Sequence, residues 1–420
     1  MTPPTEPPSI AGGNPLLPIL HAAVRAQAAD LHLKAHMPPR VMLDGRISEL
    51  PGFEQPLDPV LLPQMIFALL APEEAEHFRQ HLELDTSFEL PGLARFRLNV
   101  FLNLGTVAAV IRIVPPGVRS FDSLGLPPVL RRVLLEKSGL ILVTGATSSG
   151  KSTTLAAMID FINDTLPGHI VTIEDPVEVV HPHKACVISQ REVGKDTLGF
   201  APALRAALRQ APNVILLGEM RDRETIELAI RGAETGHLVL ATLHTSDAVQ
   251  SIHRLLHVFN PNEHSAVLAA LATVLKASIA QRLIPRIDGK GRLPVFDVLI
   301  QTPTVQDAIR RGQLDELYQL VEQGTVDGMQ STNQGLRDAF TAGMIDFAAS
   351  LAASENKQGL VMALRQELRA IKEAAEALAG HGRPAPAPAN RAGEPRDLEN
   401  DYIKVIKVHQ PGASPPRGPR

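Results

Sequence analysis

The chain has 420 residues, of which 44% are apolar, which is too long for one compact domain and apolar enough to bury a large core. A net charge of −4 gives no global attraction for nucleic acid or an anionic membrane, and with an aromatic content of 4% nucleic acid is not expected as a partner. A single cysteine, Cys186, excludes a disulfide framework and a four-cysteine zinc site, and reads as a small buried apolar residue.

Residues 1–15 are rich in Pro and Gly and are expected to be disordered. They lack the basic head and apolar block of a signal peptide, and no run of about 18 uncharged apolar residues marks a membrane span, so a cytoplasmic protein is expected. A helix is predicted over 16–28, with Leu17, Leu20, Val24 and Ala28 at helical spacing. Leu31 and Leu33 flank His32 in strand alternation, and Pro38-Pro39 and Asp44-Gly45 mark turns. Residues 95–101 and 107–114 alternate polar with apolar as half-buried strands do, and Pro115-Pro116-Gly117 then breaks the chain. The first domain is therefore read as 16–117.

Beyond that break the pattern becomes strand–helix alternation, which predicts an α/β domain built on a parallel sheet with helices on both sides. Leu140–Thr144, Ile170–Ile173, Val214–Leu217 and Leu238–Leu243 are continuous apolar runs, as strands buried on both faces require. Helices are predicted from Lys151, near 199–210 and 222–235, and over 262–283, 304–322 and 333–380. The second domain is read as 118–355, followed by a helix and a Pro/Ala/Arg-rich tail over 356–420, which is expected to be mobile beyond 383.

Four segments carry chemistry. Gly145-Ala146-Thr147-Ser148-Ser149-Gly150-Lys151-Ser152-Thr153 fits G-x-x-x-x-G-K-[ST] between a buried strand and a helix. Its glycines let successive N–H groups face phosphate oxygens at a helix N-terminus; Lys151 reaches the β- and γ-phosphates and Ser152 offers a hydroxyl to Mg²⁺. The strand Val214–Leu217 leads to Glu219, a carboxylate placed to hold the metal and its water, while Asp222 reads as a helix cap. TIEDPVE at 172–178 sets acids after another buried strand, and spacing does not say which of Glu174 and Glu178 faces a phosphate. His237 and His244 bracket the strand between them; seven residues apart, they cannot both lie against the phosphate by strand geometry.

Read together, GATSSGKS, TIEDPVEVVH, LLGEMRDRET and AETGHLVLATLHTSDA resemble the secretion and type IV pilus ATPase family. The likeness extends through ADLHLKAHMPPRVMLDGRI and ARFRLNVF, covering about residues 16–350. With one cysteine and a short N-terminal domain, the chain is most similar to the retraction (twitching-motility) branch, the PilT/PilU branch, and not to branches that carry a four-cysteine zinc module. The resemblance implies a homohexameric ring with a smaller PAS-like α+β N-terminal domain and a RecA-like P-loop ATPase domain. ATP and Mg²⁺ would bind between the domains, with Arg95, Arg97 and Arg112 completing the site. It also implies Glu178 as general base, a pilus platform protein of the inner membrane as partner, a paralogous retraction ATPase as a candidate second partner, and a peripheral position at that membrane. The function implied is pilus retraction, the alternative being an accessory ring that assists a separate main motor. The chain departs from the family pattern at three positions: Ser148 replaces a loop glycine, and Met42 and Gln306 stand where arginines are usual.

Overall fold

In a computed structural model the described residues are 13–43, 46–114 and 117–379. The readings of residues 1–12 and 383–420, the turn at Asp44-Gly45 and the break at Pro115-Pro116 lie outside them. The chain divides into two compact units, Met1–Phe121 with Leu155–Glu219, and Asp122–Thr154 with Met220–Arg420.

The first unit begins with the expected helix, Leu16–Arg25, whose Leu16, Ile19, Leu20 and Ala23 are buried along one stripe. Strands β1 (Asp30–Leu33), β2 (Arg40–Leu43), β3 (Arg46–Glu49), β4 (Glu83–Leu90), β5 (Ala94–Asn103) and β6 (Thr106–Val114) form a sheet in the order β3-β2-β1-β6-β5-β4, antiparallel at each pair. Helices Leu61–Phe67 and Pro72–His81 join β3 to β4. β5 shows why one sheet face is core and the other is functional. Phe96, Leu98 and Val100 are buried with Leu31, Leu33 and Ile111, while Arg95, Arg97 and Asn99 alternate onto the opposite face. Burying each such large apolar side chain contributes about 1.5–3 kcal/mol. Arg97 lies directly across from Arg112 in the β5–β6 register. β2, β3, β4 and the two connecting helices are not evident from sequence periodicity.

After β6 the α/β alternation predicted from the sequence is found. β7 (Gly139–Thr144) is buried at every residue and is followed by the helix Lys151–Thr165. β8 (Gly168–Glu174), β9 (Cys186–Glu192), β10 (Val214–Leu217) and β11 (Leu238–Leu243) follow, with helices Phe200–Ala207 and Arg223–Glu234 among them. In the first unit β10, β8 and β9 run parallel in that order. In the second unit the order is β13-β12-β7-β11, where β12 is Leu275–Pro285 and β13 is Arg292–Ile300. β7 pairs parallel with β11 and β12, but β12 and β13 form an antiparallel hairpin, so the sheet is not wholly parallel.

Three predicted helices are corrected. The segment 262–283 is helical only over His264–Val274; from Leu275 it is strand β12, because pairing between β7 and β13 overrides a helix-compatible composition. The segment 304–322 is two helices, Pro303–Arg311 and Glu316–Gln323, and the first ends at Gly312 in the left-handed region. The segment 333–380 is three, Thr332–Thr341, Phe347–Ala353 and Lys357–Ala379; Gly343 and the Asp346 cap separate the first two. Among the described residues no helix is long and apolar enough to cross a membrane.

Candidate active site

In the second unit the phosphate loop leaves the carboxyl end of β7 and runs into the helix that starts at Lys151. Gly145 has φ +142, and a Cβ there would stand 2.5 Å from Gln281 O and 2.6 Å from Ser149 Oγ; a Cβ on Gly150 would stand 2.8 Å from Gln281 Nε2. Both glycines are therefore dictated by the close approach of β12. Ser148 lies at φ 63, a left-handed conformation that costs a non-glycine residue roughly 1–2 kcal/mol. Here the departure from the family glycine has a physical cost, more than a neutral replacement would have. Lys151 is buried, and its Nζ donates to Gly145 O at 2.8 Å and Ala146 O at 2.9 Å. The Oγ1 of Thr144 and the Oγ of Ser149 are buried and have no hydrogen-bond partner among the described residues. Such groups are costly unless a ligand satisfies them. Ser152 and Thr153 are exposed at the helix start.

A cleft of about 410 Å³ opens on this loop, lined by Gly145 to Ser149 together with Ser246, Gln281, Arg282, Leu283 and Arg292. Sequence reasoning missed the β12 residues because it read that segment as helix. Gln281 is buried and accepts from Thr154 Oγ1 at 2.6 Å, buttressing the loop from behind. Arg282 donates to Ala353 O at 2.7 Å and Ser246 O at 3.1 Å and pairs with Glu355.

β11 lies beside β7 with Leu243 opposite Thr144, so His244 emerges exposed at the phosphate-loop end of the strand. His237 sits at the other end, roughly 20 Å away for a six-residue strand, with Nδ1 2.9 Å from the carbonyl of Gly232 in its own turn. Of the two histidines, only His244 shares an end of the strand with the loop. Asp222 caps the helix Arg223–Glu234, accepting from Thr225 N at 2.9 Å, as expected.

In the first unit the acids gather at the carboxyl ends of β8 and β10. Leu217 pairs with Ile173, and Gly218 N donates to Ile173 O at 2.8 Å, so half-buried Glu219 leaves β10 next to the end of β8. Here the two acids that spacing left unresolved separate. Burial pushes the Glu174 carboxyl up from the usual range, against hydrogen bonds from Thr172 Oγ1 at 2.6 Å and Gln190 Nε2 at 3.3 Å and the backbone N–H of Glu178. Glu174 is thus taken up with organising its own loop. The Glu178 carboxylate accepts no hydrogen bond among the described residues. Its negative charge is felt by Arg112, whose pKa is raised first by a 2.9 Å hydrogen bond to Asp30 and further by the Asp30 and Glu178 charges.

The three arginines differ. Arg97 and Arg112 face each other across β5 and β6; like charges directly opposite repel, so this pair favours an anion. Arg95 is committed within the unit: Nε donates to Val177 O at 2.8 Å, and Nη2 donates to Ser87 Oγ at 2.9 Å and to the buried Glu192 carboxylate. Cys186 is buried, and its thiol donates to Leu166 O at 2.9 Å. Among the described residues no group of three or more His, Cys, Asp or Glu side chains could hold a metal.

The family model described as Type II/IV secretion system protein matches residues 87–383. The chain is 43% identical over 329 residues to the type IV pilus retraction ATPase PilT of Pseudomonas aeruginosa, covering 78% of this chain and 94% of that one. It is 39% identical over 347 residues to the type IV pilus ATPase PilU of the same organism, covering 83% and 90%. Among solved structures it is similar to the pilus retraction motor PilT with bound ADP, at a TM-score of 0.77 and 42% identity over 82% of this chain and 98% of that one.

Proposed function

The chain belongs to the type II/IV secretion system protein family, whose members are ATPases, and on that premise we propose that it is the ATP-hydrolysing motor of type IV pilus retraction, working as a homohexameric ring. The observation that carries the reading is the phosphate loop with buried Thr144 and Ser149 hydroxyls that lack a partner among the described residues, in a chain alike over 78% of its length to a retraction ATPase. We assign the boundary between an N-terminal domain and the RecA-like domain to about residue 117.

In this reading the backbone of Gly145 to Gly150 cradles the phosphates. Lys151 exchanges its bonds to the Gly145 and Ala146 carbonyls for bonds to the β- and γ-phosphates. A loop whose glycines are required by packing and whose hydroxyls lack partners fits a nucleotide. Ser152 and Glu219 would hold Mg²⁺, whose charge would offset that on the phosphates. Glu178, free of hydrogen bonds among the described residues, is assigned as general base for the attacking water. Glu174 orders the loop that carries it. His244 is assigned a hydrogen bond to the phosphate end of the nucleotide. Arg97 and Arg112 neutralise charge as the γ-phosphate departs, an effect worth roughly 10³–10⁵ in rate for an arginine so placed. The work of the ring is delivered to a platform protein at the inner membrane, where the protein sits peripherally.

Steady-state ATPase assays of Lys151→Ala and Glu219→Ala test the enzymatic claim, and wild-type turnover in either variant would sink it. Pilus retraction in a strain lacking this chain tests the motor. Ser148 at φ 63, with the likeness to PilU, favours a second reading, an accessory ring alongside a paralogous motor. Undiminished retraction force without this chain would select that reading.

A further inference from the structure

The segment 175–181 between β8 and β9 has no regular secondary structure, yet four of its backbone polar groups are held by side chains. Val177 N donates to Glu192 Oε2 at 3.1 Å and Val177 O accepts from Arg95 Nε at 2.8 Å. Val179 O accepts from Gln190 Nε2 at 2.8 Å, and His181 N donates to Gln190 Oε1 at 2.8 Å. Among the described residues the Glu178 carboxylate accepts no hydrogen bond, and the Asp175 carboxylate and the buried His181 Nδ1 are likewise without one. Val177 is thus gripped on both sides, its N–H by Glu192 and its carbonyl by Arg95. Because peptides are planar, holding one group on each of the two that flank Val177 orients the backbone from which the Glu178 side chain leaves.

Arg95 is in turn fixed. Glu192 is 4% exposed, and its carboxylate takes four donors: Ser87 Oγ at 2.7 Å, Val177 N, Arg95 Nη2 and Lys195 Nζ at 3.3 Å. A buried ion pair contributes little net stability compared with apolar packing, but it fixes one geometry sharply when every lone pair is satisfied. The Nε and Nη2 edge of Arg95 is spent on Val177, Ser87 and Glu192, unlike Arg112, which is mostly exposed and bonded to Asp30 alone.

We infer that Arg95 and Glu192 are positioning residues that aim the Glu178 carboxylate by clamping Val177, and that Arg95 does not bind phosphate. This rests on the reading of Glu178 as general base. The three arginines then have separate roles, with Arg97 and Arg112 acting on the nucleotide and Arg95 acting through the base.

The test uses the full-length ring and the variants Arg95→Lys, Glu178→Gln and their double. Lysine keeps a charge beside Glu192 but cannot also donate to Val177 O through a second nitrogen. Displacing a reacting group by about 1 Å can cost about 10²-fold, so Arg95→Lys is expected to lower kcat about 10–100-fold, with the KM for ATP and the affinity for a fluorescent ATP analogue within about threefold of wild type. In the Glu178→Gln background the same change is expected to alter the residual rate by less than about twofold, because the group it aims is already gone. A tenfold or greater loss of nucleotide affinity in Arg95→Lys, or a full additional loss of rate in the double variant, overturns the inference and makes Arg95 a phosphate ligand. Wild-type kcat in Arg95→Lys also overturns it. Wild-type kcat in Glu178→Gln removes the general-base reading itself, and the clamp falls with it, a result distinguishable from the others by that single variant. Should Arg95→Lys fail to assemble, the near-isosteric Glu192→Gln is held to the same criteria.

Discussion

Asp297 offers the sharpest test of how this protein trades charge for packing. It lies mid-strand on β13, where burial first, and then the charge of Asp247, push its pKa up to about 6 from 3.8. Hydrogen bonds from Thr332 N and Thr332 Oγ1, both at 3.2 Å, offset only part of this. Burial raises the Asp247 carboxyl as well, and Tyr318 is pushed up to about 12 by burial and then by Asp247, Asp297 and Glu355. The folded protein therefore holds the Asp297 proton more tightly than the unfolded chain does. The contribution is fully present below pH 3.8, is lost as pH rises to about 6, and is flat above. A rise from 3.8 to about 6 corresponds to about 3 kcal/mol, and partial solvent contact reduces the expectation to about 2 kcal/mol. Asp297→Asn retains an acceptor for Thr332 and removes the charge. It is expected to stabilise the fold by about 2 kcal/mol at pH 7.5 and by close to zero at pH 4, as read by urea melts of both proteins at both pH values. Equal effects at the two pH values, or destabilisation at pH 7.5, would refute the assignment of a buried, charge-penalised carboxyl.

Gly145→Ala should weaken ATP binding by at least about tenfold in a fluorescence titration, since a Cβ placed 2.5 Å from Gln281 O forces strain of about 1–3 kcal/mol into the loop. Ser148→Gly removes a left-handed cost of about 1 kcal/mol but frees the unfolded chain by a similar amount, so stability should move by less than about 0.5 kcal/mol and the KM for ATP should not rise. A higher KM would mean that the Ser148 hydroxyl itself touches phosphate. Cys186, buried and with its thiol pKa pushed up by burial, should react with a disulfide reagent at least about 100-fold more slowly in the native protein than in denaturant, as absorbance kinetics would report.

The phosphate loop was legible because its signals are local. β7 is six buried residues with no interruption, and the loop that follows is a spacing of two glycines and a lysine. Likewise β10 and β11 fall at the predicted residues, since a strand buried on both faces must be apolar throughout. β12 was not legible, because its Lys276, Ala277, Ser278, Ala280 and Gln281 suit a helix as well as a strand; what makes it a strand is a partner on each side, β7 and β13. One local signal was available: Asp288-Gly289-Lys290-Gly291 between the apolar runs Leu283-Ile284 and Leu293 onward has the composition of a hairpin turn. Missing it concealed Gln281 and Arg282, which line the cleft at the loop.

The acidic segment shows a different limit. No spacing rule separates Glu174 from Glu178, because their roles depend on which hydrogen bonds the fold supplies, not on their positions along the chain. Thr172 and Gln190 claim Glu174. Arg95 reads in sequence as one of three equivalent cations on half-buried strands, and its bonds to Val177 O, Ser87 and Glu192 distinguish it from Arg97 and Arg112. Residue type and alternation therefore predict which groups are available for chemistry. Which of them can act depends on the groups already spent within the fold: Arg95 is spent on Val177 O and Glu192 and Arg112 is bonded to Asp30, whereas Arg97 and the Glu178 carboxylate carry no hydrogen bond among the described residues.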